Sequence, residues 1–329
     1  MNLSLNKKYN FDIDASVNSY EGELALPYVT AALLGAETIA KGRCRFLEGI
    51  VGKTVISGLA TTDTIQAASC TWADGSNVAL TEQVLDPSDL AVMEEVCRGT
   101  MYPTWIAANG RMERNGDLPV AWGDFLLGAV AERTGTSLET LLWQGDAGAV
   151  FGTGFLSNDG VIDEAGIDAS ACQDFVEADT GAAAWTKDNI LDTLDLVFAG
   201  AQDVPGILQK PGVGFYVSYE AYAFFLQAMA TQNTGPGYNQ SFEGANYLGY
   251  PVYPTAGIPN ASGTYLGAIV FTYPDNLVVG ANSYTADISA QLIPTYQYDG
   301  SDNVRIAMRF AVGVQTAVAG DGVVGFNFT

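Results

Sequence analysis

Between residues 304 and 318 the chain alternates without a break. Val304, Ile306, Met308, Phe310, Val312, Val314, Thr316 and Val318 fall on one side; Arg305, Ala307, Arg309, Ala311, Gly313, Gln315 and Ala317 fall on the other. Strict period two over this length predicts a half-buried β-strand. At about 3.3 Å per residue it would span roughly 50 Å, well beyond the common strand length. Residues 287–298 read as a second long strand, joined to the first by the tight turn Asp299-Gly300-Ser301-Asp302-Asn303. A strand this long needs a partner along all of its length, or its edge recruits other chains. The expectation is a protein whose working form is an assembly.

Composition bears on the same point. The chain has 329 residues, enough for two or three subdomains with a real core. Apolar residues make up 48% and charged residues only 16%, and soluble monomers normally carry more surface charge. Burial of apolar surface between copies would account for the difference. Lys and Arg number 14 against 37 Asp and Glu, a net charge of -23. With no basic run, tight phosphate-neutralising binding of nucleic acid is not expected.

Histidine is absent, which excludes Ser-His-Asp and Cys-His nucleophile arrangements within the chain and removes the commonest metal ligand. The four cysteines, Cys44, Cys70, Cys97 and Cys172, show no C-x-x-C spacing, so they read as small buried hydrophobes rather than a zinc site. Residues 1–16 lack an apolar run after Lys7-Lys8 and do not read as a signal peptide. No stretch reaches the length of a membrane span.

Along the chain, residues 1–22 read as an extended polar arm, and 24–40 as a short helix broken near Gly35. Residues 43–98 look β-rich. Val78, Leu80, Glu82 and Val84 alternate with Ala79, Thr81, Gln83 and Leu85 after a polar turn at Asp74-Gly75-Ser76-Asn77, which predicts a long hairpin. It has little with which to build its own core, so it must lie on something else. Pro119 opens and Gly145 closes a helix over 120–144. Trp122, Leu126, Ala129, Val130, Leu138, Leu141 and Leu142 supply its apolar stripe, and Thr134-Gly135-Thr136 is a candidate kink. Residues 145–179 read as mostly loop. Thr186 is expected to cap a helix over 187–199, ended by Pro205-Gly206. A strand over 213–217 leads to Ser218, which is expected to cap a helix through Met229. Strands are expected over 247–253 and 265–273.

Three motifs bear on chemistry. Val51-Gly52-Lys53-Thr54 resembles the end of a phosphate-binding loop, but Leu47 stands where its first glycine belongs and the segment falls in the hairpin. Asp159, Asp163, Glu164 and Asp168 lack the spacing of a calcium loop. Paired carboxylates could make a glycosidase, but among 37 acids no pair stands out. No catalytic, cofactor-binding or metal residue is therefore assigned, and no cofactor is expected. The 16 Tyr and 15 Phe suit core packing or subunit contacts; a carbohydrate-binding surface or fibre protein is the alternative.

Taken in order, several stretches resemble the major capsid proteins of tailed bacteriophages with the Hong Kong 97-like fold. Residues 20–22 with 26–28 resemble the N-terminal arm. Residues 66–70 and 80–82 resemble the extended hairpin called the E-loop. Residues 118–146 resemble the spine helix and its exit, and Phe155-Leu156 the lead into the axial domain. Tyr247-Leu248-Gly249-Tyr250-Pro251-Val252 with Gly257-Ile258-Pro259 is similar to an axial-domain strand and loop, and residues 303–315 to the closing peripheral-domain strand. The resemblance implies an α+β fold with an arm at 1–42, E-loop and flanking strands at 43–100, a peripheral domain with spine helix at 101–146, an axial domain at 147–285 and C-terminal peripheral strands at 286–329.

It also implies a structural, non-enzymatic role. Hexamers and pentamers would tile an icosahedral shell around packaged double-stranded DNA, assembled in the host bacterial cytoplasm and ending in the virion capsid. Partners would be further copies of the chain, portal and scaffolding proteins, decoration proteins, and DNA through weak nonspecific contact, with no membrane. Only about 20 residues precede the first similar stretch, so a scaffold would be a separate protein. The residues expected at subunit interfaces, on arm and E-loop, are Tyr20, Glu21, Lys53, Thr54, Trp72, Asp74, Val78, Leu80 and Glu82. Some members of that family cross-link an E-loop lysine to an asparagine. Lys53 is placed for a contact, with no partner asparagine to assign.

Overall fold

The alternating C-terminal segment becomes the centre of a sheet. The computed structural model describes residues 19–21, 31–33, 35–62, 77–97, 120–145, 154–156, 175–178, 185–232, 245–258, 267–282, 289–295, 301 and 303–326. In it, β13 (Asn303–Thr316) pairs antiparallel on one edge with β12 (Ser289–Pro294) and then β11 (Leu277–Asn282). Its other edge carries β5 (Ser88–Cys97), in register from Cys97 opposite Asn303 to Ser88 opposite Val312. β1 (Ser19–Glu21) extends the sheet beyond β12, and β2 (Arg45–Glu48) lies parallel to β11.

This corrects one expectation. The long strand finds its partners inside the chain, so its length alone does not require an assembly. It also corrects the arm, whose residues 19–21 are not free but paired with Ser289 to Gln291. An extended segment laid beside β12 satisfies backbone groups that would otherwise be open.

The face of β13 carrying Val304, Ile306, Met308, Phe310, Val312 and Val314 is buried, as the alternation predicts. The opposite face is polar only as far as Arg309. Ala311 and Gly313 are buried too, because the chain leaving the hairpin crosses there: a β-carbon on Gly313 would lie 2.9 Å from the Asp86 carbonyl oxygen.

Against the buried face packs α2 (Val120–Gln144), with the predicted bounds. α1 (Glu37–Ala40) precedes it in the chain. The buried side of α2 is Leu126, Leu127, Val130, Ala131, Leu138, Leu142 and Trp143. Ala129, placed in the stripe by sequence, is exposed. The helix stays helical through Thr134, Gly135 and Thr136, and Gly135 is where it approaches Gly35 closely. Gly145 ends the helix with φ 68°, the left-handed stop that glycine tolerates. Phe155 and Leu156 donate their N–H groups to the Leu142 and Trp143 carbonyls at 2.8 and 2.9 Å, closing carbonyls the helix leaves open.

A second sheet runs β6 (Val176–Ala178), β14 (Val323–Phe326), β10 (Ala268–Thr272), β7 (Gly214–Val217), β9 (Tyr250–Pro254), β8 (Asn246–Tyr247). Period two divides its side chains between two cores. Phe215, Val217, Ile269, Phe271 and Val323 face a cluster with α3 (Ile190–Asp203) and α4 (Tyr219–Gln232). Tyr216, Ala268, Val270, Val324 and Phe326 join the cluster beneath α2.

Several boundaries move. Asn189 rather than Thr186 precedes α3, and residues 187–189 form a turn in which the Thr186 amide donates to Asn189 Oδ1 at 2.7 Å. Ser218 caps α4 as expected, accepting from the Ala221 amide at 3.2 Å. The strand read over 247–253 is a hairpin, turned at Leu248 (φ 49°) and Gly249 (φ 88°). The two sheets also divide the chain differently from a cut at 285/286, since β11 lies in the first sheet and β14 in the second.

Candidate assembly surface

β3 (Thr54–Thr62) and β4 (Asn77–Leu85) form a sheet of two strands and nothing else, in register from Thr54 opposite Leu85 to Thr62 opposite Asn77. Nine residues per strand give about 30 Å of ribbon. At its root Ile56 and Leu85 pack with Ile50, Val278 and Ala317. Leu85 sits directly over Gly280 of β11, where a β-carbon would lie 2.5 Å from Leu85 Cδ2. Gln315 reaches Gln83 from β13 with a 3.1 Å side-chain hydrogen bond. A two-stranded hairpin by itself is at best marginally stable in water.

The root also presents apolar side chains to solvent. Val55 and Val84 are directly opposite each other in the ladder and both are exposed, as is Val51 before β3. On the edge strand β5, Met93 is 68% exposed, while Leu90, Val92 and Val96 pack inward. β5 faces β13 with one edge, and no described strand pairs with its other edge. Glu95 holds the outer face in register, accepting from Arg305 Nε at 2.9 Å and Asn303 Nδ2 at 2.6 Å.

The hairpin brings together five of the predicted interface residues. Lys53 pairs with Asp86 across the root at 2.8 Å. Thr54 donates from Oγ1 to the Gly52 carbonyl at 3.1 Å. Val78 and Leu80 stand opposite Thr61 and Leu59, and Glu82, opposite Ser57, is exposed. Tyr20 and Glu21 lie apart from these, on β1 at the far side of the first sheet. Trp72 and Asp74 lie outside the described residues. Sequence reasoning missed Val51, Val55 and Met93. The Val55–Val84 pair was recoverable once the hairpin register was drawn, whereas nothing local distinguishes Met93 from an inward-facing residue.

Between arm and hairpin, residues 35–44 are fastened at a junction where both sheets and α2 meet. Glu139 of α2, 1% exposed, accepts from the Thr38 amide at 2.9 Å and from Thr38 Oγ1 at 2.6 Å. Trp143 Nε1 donates to that same hydroxyl at 2.9 Å. Glu37 accepts from Lys41 Nζ at 2.5 Å, Tyr219 OH at 2.8 Å and the Ala256 amide at 3.2 Å. Arg43 donates to the Pro254 carbonyl and lies 4.8 Å from the centre of the Tyr253 ring.

Burial raises the Glu139 carboxyl above its ordinary value, against the hydrogen bonds from Thr38. Burial pushes Glu37 upward as well, but hydrogen bonds from Lys41 and Tyr219 and the charges of Lys41 and Arg43 outweigh it and hold the carboxyl low. Burial, with the Glu139 charge adding to it, pushes the Cys44 thiol up to about 12, which makes it inert. Among the described residues no group of acids and thiols is arranged to hold a metal ion, and no helix is long and apolar enough to cross a membrane.

No family model matches the chain, and no curated protein does. Solved structures do. The chain is similar to the capsid of an empty GTA particle (TM-score 0.57, 13% identity, 90% of each chain covered). It is similar to a structure from Microbacterium phage Oxtober96 (TM-score 0.53, 15% identity, 89% of this chain and 90% of that one). A third likeness is to the capsid of Myoviridae Phage XM1 (TM-score 0.52, 11% identity, 88% and 91%). The fold is that of phage capsid chains, the Hong Kong 97-like fold that the sequence resembles.

Proposed function

We propose that this chain is the major capsid protein of a tailed bacteriophage, assembling as hexamers and pentamers into an icosahedral shell around double-stranded DNA. The observation that carries the reading is a fold shared with capsid chains over nine-tenths of the length, in a protein whose β3–β4 ribbon is a separate two-stranded sheet. Fold alone does not fix function. The ribbon supplies the specific element, because a two-stranded hairpin with exposed valines at its root would gain burial against another copy.

The role is structural, without turnover. The ribbon and the exposed valines at its root would contribute to contacts between copies, in the range of about 2,000 Å² or more that obligate interfaces bury. The second sheet, with α3 and α4, would gather around the capsomer axis. A net charge of -23 supports weak, nonspecific contact with packaged DNA, since a basic lining would hold it tightly. Scaffolding, portal and decoration proteins would act in trans, assembly taking place in the host cytoplasm and the product residing in the virion.

Negative-stain electron microscopy of the chain, expressed alone or with its neighbouring genes, tests this. Rings, shells or tubes are the expected result. A monodisperse monomer under both conditions contradicts it.

A further inference from the structure

Residues 1–18 precede β1 and lie outside the described residues. Their sequence alternates much as that of β13 does. From Leu3 to Val17 every odd position except Lys7 is apolar, and Leu5, Tyr9, Phe11 and Ile13 are large. Every even position from Asn2 to Asn18 is Asn, Ser, Lys or Asp. Period two kept from residue 3 to residue 17 is the pattern of a strand with one apolar side, about 50 Å long when extended. The arm is thus polar on one side only. Such a segment needs a sheet edge for its backbone groups and cover for its apolar side.

β5 offers both. One of its edges pairs with β13 from Ser88 to Cys97, and among the described residues no strand pairs with the other. Between β5 and α2 opens a groove of about 310 Å³. Buried Leu138 and Phe310 line it, with half-buried Leu90, Val92 and Leu141. Glu94 of β5 and Arg133 of α2 pair across it at 4.0 Å. An edge strand with an apolar groove beside it takes up an extended chain in a known way: the edge supplies main-chain hydrogen bonds and the groove receives alternate side chains. Charge favours the match. β5 carries Asp89, Glu94 and Glu95 and no base, whereas the arm brings Lys7 and Lys8.

The arm of the same copy is poorly placed for this edge. The strand order is β1, β12, β13, β5, so β1 and β5 stand about 14 Å apart across the sheet. β1 runs parallel to β13, with Ser19 and Ala307 both opposite Gln291 and Glu21 and Arg309 both opposite Ser289. The chain ahead of Ser19 is therefore directed toward the Asn303 end of the sheet. To line its own β5 it would have to cross that end and reverse, and residues 1–18 contain no Gly or Pro for such a turn. An edge on another molecule can take the segment without a reversal.

We propose that residues 3–17 of one copy add as a strand to the free edge of β5 in a second copy, with their apolar side in the groove against α2. Lys7, on the apolar side, then comes to Glu94 at the groove, and Lys8, on the polar side, to the outward acids Asp89 and Glu95. The contact rests on the reading that copies assemble, and adds where two of them touch.

The test uses the full chain with a photo-reactive phenylalanine analogue in place of Phe11. It is mixed before assembly with an excess of heavy-nitrogen-labelled chain lacking the analogue, irradiated, digested and read by mass spectrometry. The expected cross-links join the arm to labelled peptides covering residues 88–97 or 133–141. Cross-links confined to unlabelled copies of those peptides place the arm on its own β5 and overturn the proposal. Cross-links that avoid both peptides overturn it as well. Adding Ile13→Asp, on the apolar side, should lower the yield between copies at least about tenfold, while Ser16→Asp, on the polar side, should leave it unchanged. An equal fall in both variants contradicts the assigned side. Sedimentation of the same samples judges the shell separately. Particles without these cross-links overturn the arm contact alone; the cross-links without particles support it and count against the shell alone.

Discussion

Gly35 and Gly135 meet backbone to backbone: a β-carbon on Gly135 would lie 2.5 Å from Gly35 Cα. Two turns of contact follow from it, through Thr38 and Glu139 and then Thr38 and Trp143. At the glycine pair the segment leading to the hairpin lies against the long helix with no side chain in between.

That relationship inverts the usual effect of a helical glycine. Gly→Ala inside a helix ordinarily stabilises by about 1 kcal/mol. Gly128, with nothing within 4 Å of its would-be β-carbon, should show this gain. Gly135→Ala should instead destabilise by about 1–3 kcal/mol, because the obstructing atoms are backbone and cannot rotate away. Urea unfolding of the two variants gives opposite signs if the contact is real.

Asn276 ties the segment joining the two sheets. It is fully buried, donates from Nδ2 to the Asp321 carbonyl at 3.0 Å and to Thr272 Oγ1 at 3.3 Å, and accepts from the Val318 amide at 2.9 Å. Asn276→Ala removes the partner of the Val318 amide, while the Asp321 carbonyl keeps the Thr272 hydroxyl. It should cost about 2 kcal/mol or more, read as a lowered unfolding midpoint with an unchanged denaturant slope.

Lys53 and Asp86 form a short ion pair, but both side chains are mostly exposed. Exposed pairs contribute little to folding. Lys53→Ala should therefore shift stability by less than about 0.5 kcal/mol. If it nevertheless reduces the yield of assembled particles, measured by sedimentation, Lys53 acts between copies rather than within one.

Glu37 gives the fold a pH signature. Its folded carboxyl is held below 4.5, so its stabilising contribution is present above 4.5 and lost as pH falls through the lowered value. Glu37→Gln should be less stable than the wild type near pH 7, and the gap should narrow toward about pH 3.5. Urea midpoints at the two pH values measure it.

Much of the fold was legible because it rests on local rules. The alternation at 304–316, the Gly145 stop and the Ser218 cap all fall where the residues put them. The hairpin was legible for the same reason, through Val78 to Leu85. What sequence could not supply was the partner of each piece. Gly313 and Ala317 are small because the hairpin root lies over them, and alternation alone reads such residues as a solvent face. β11, a continuous apolar run of Leu277 to Ala281, carries no periodicity to mark it as a strand. Glu139 lay among the apolar residues of a helix whose polar positions look alike in sequence. Only Thr38, a hundred positions away, distinguishes it.

The central claim is that the β3–β4 ribbon is an arm that joins copies. Its tip can be removed without touching the root: replacing residues 58–81 with a two-residue Asn-Gly turn keeps Ile56 and Leu85 on their packing partners. Sedimentation velocity on that variant beside the intact chain, under conditions where the intact chain forms particles, is the most direct measurement. The account predicts a folded, unassembled protein with an unchanged unfolding midpoint. Particles of wild-type size and yield from the shortened chain would contradict it.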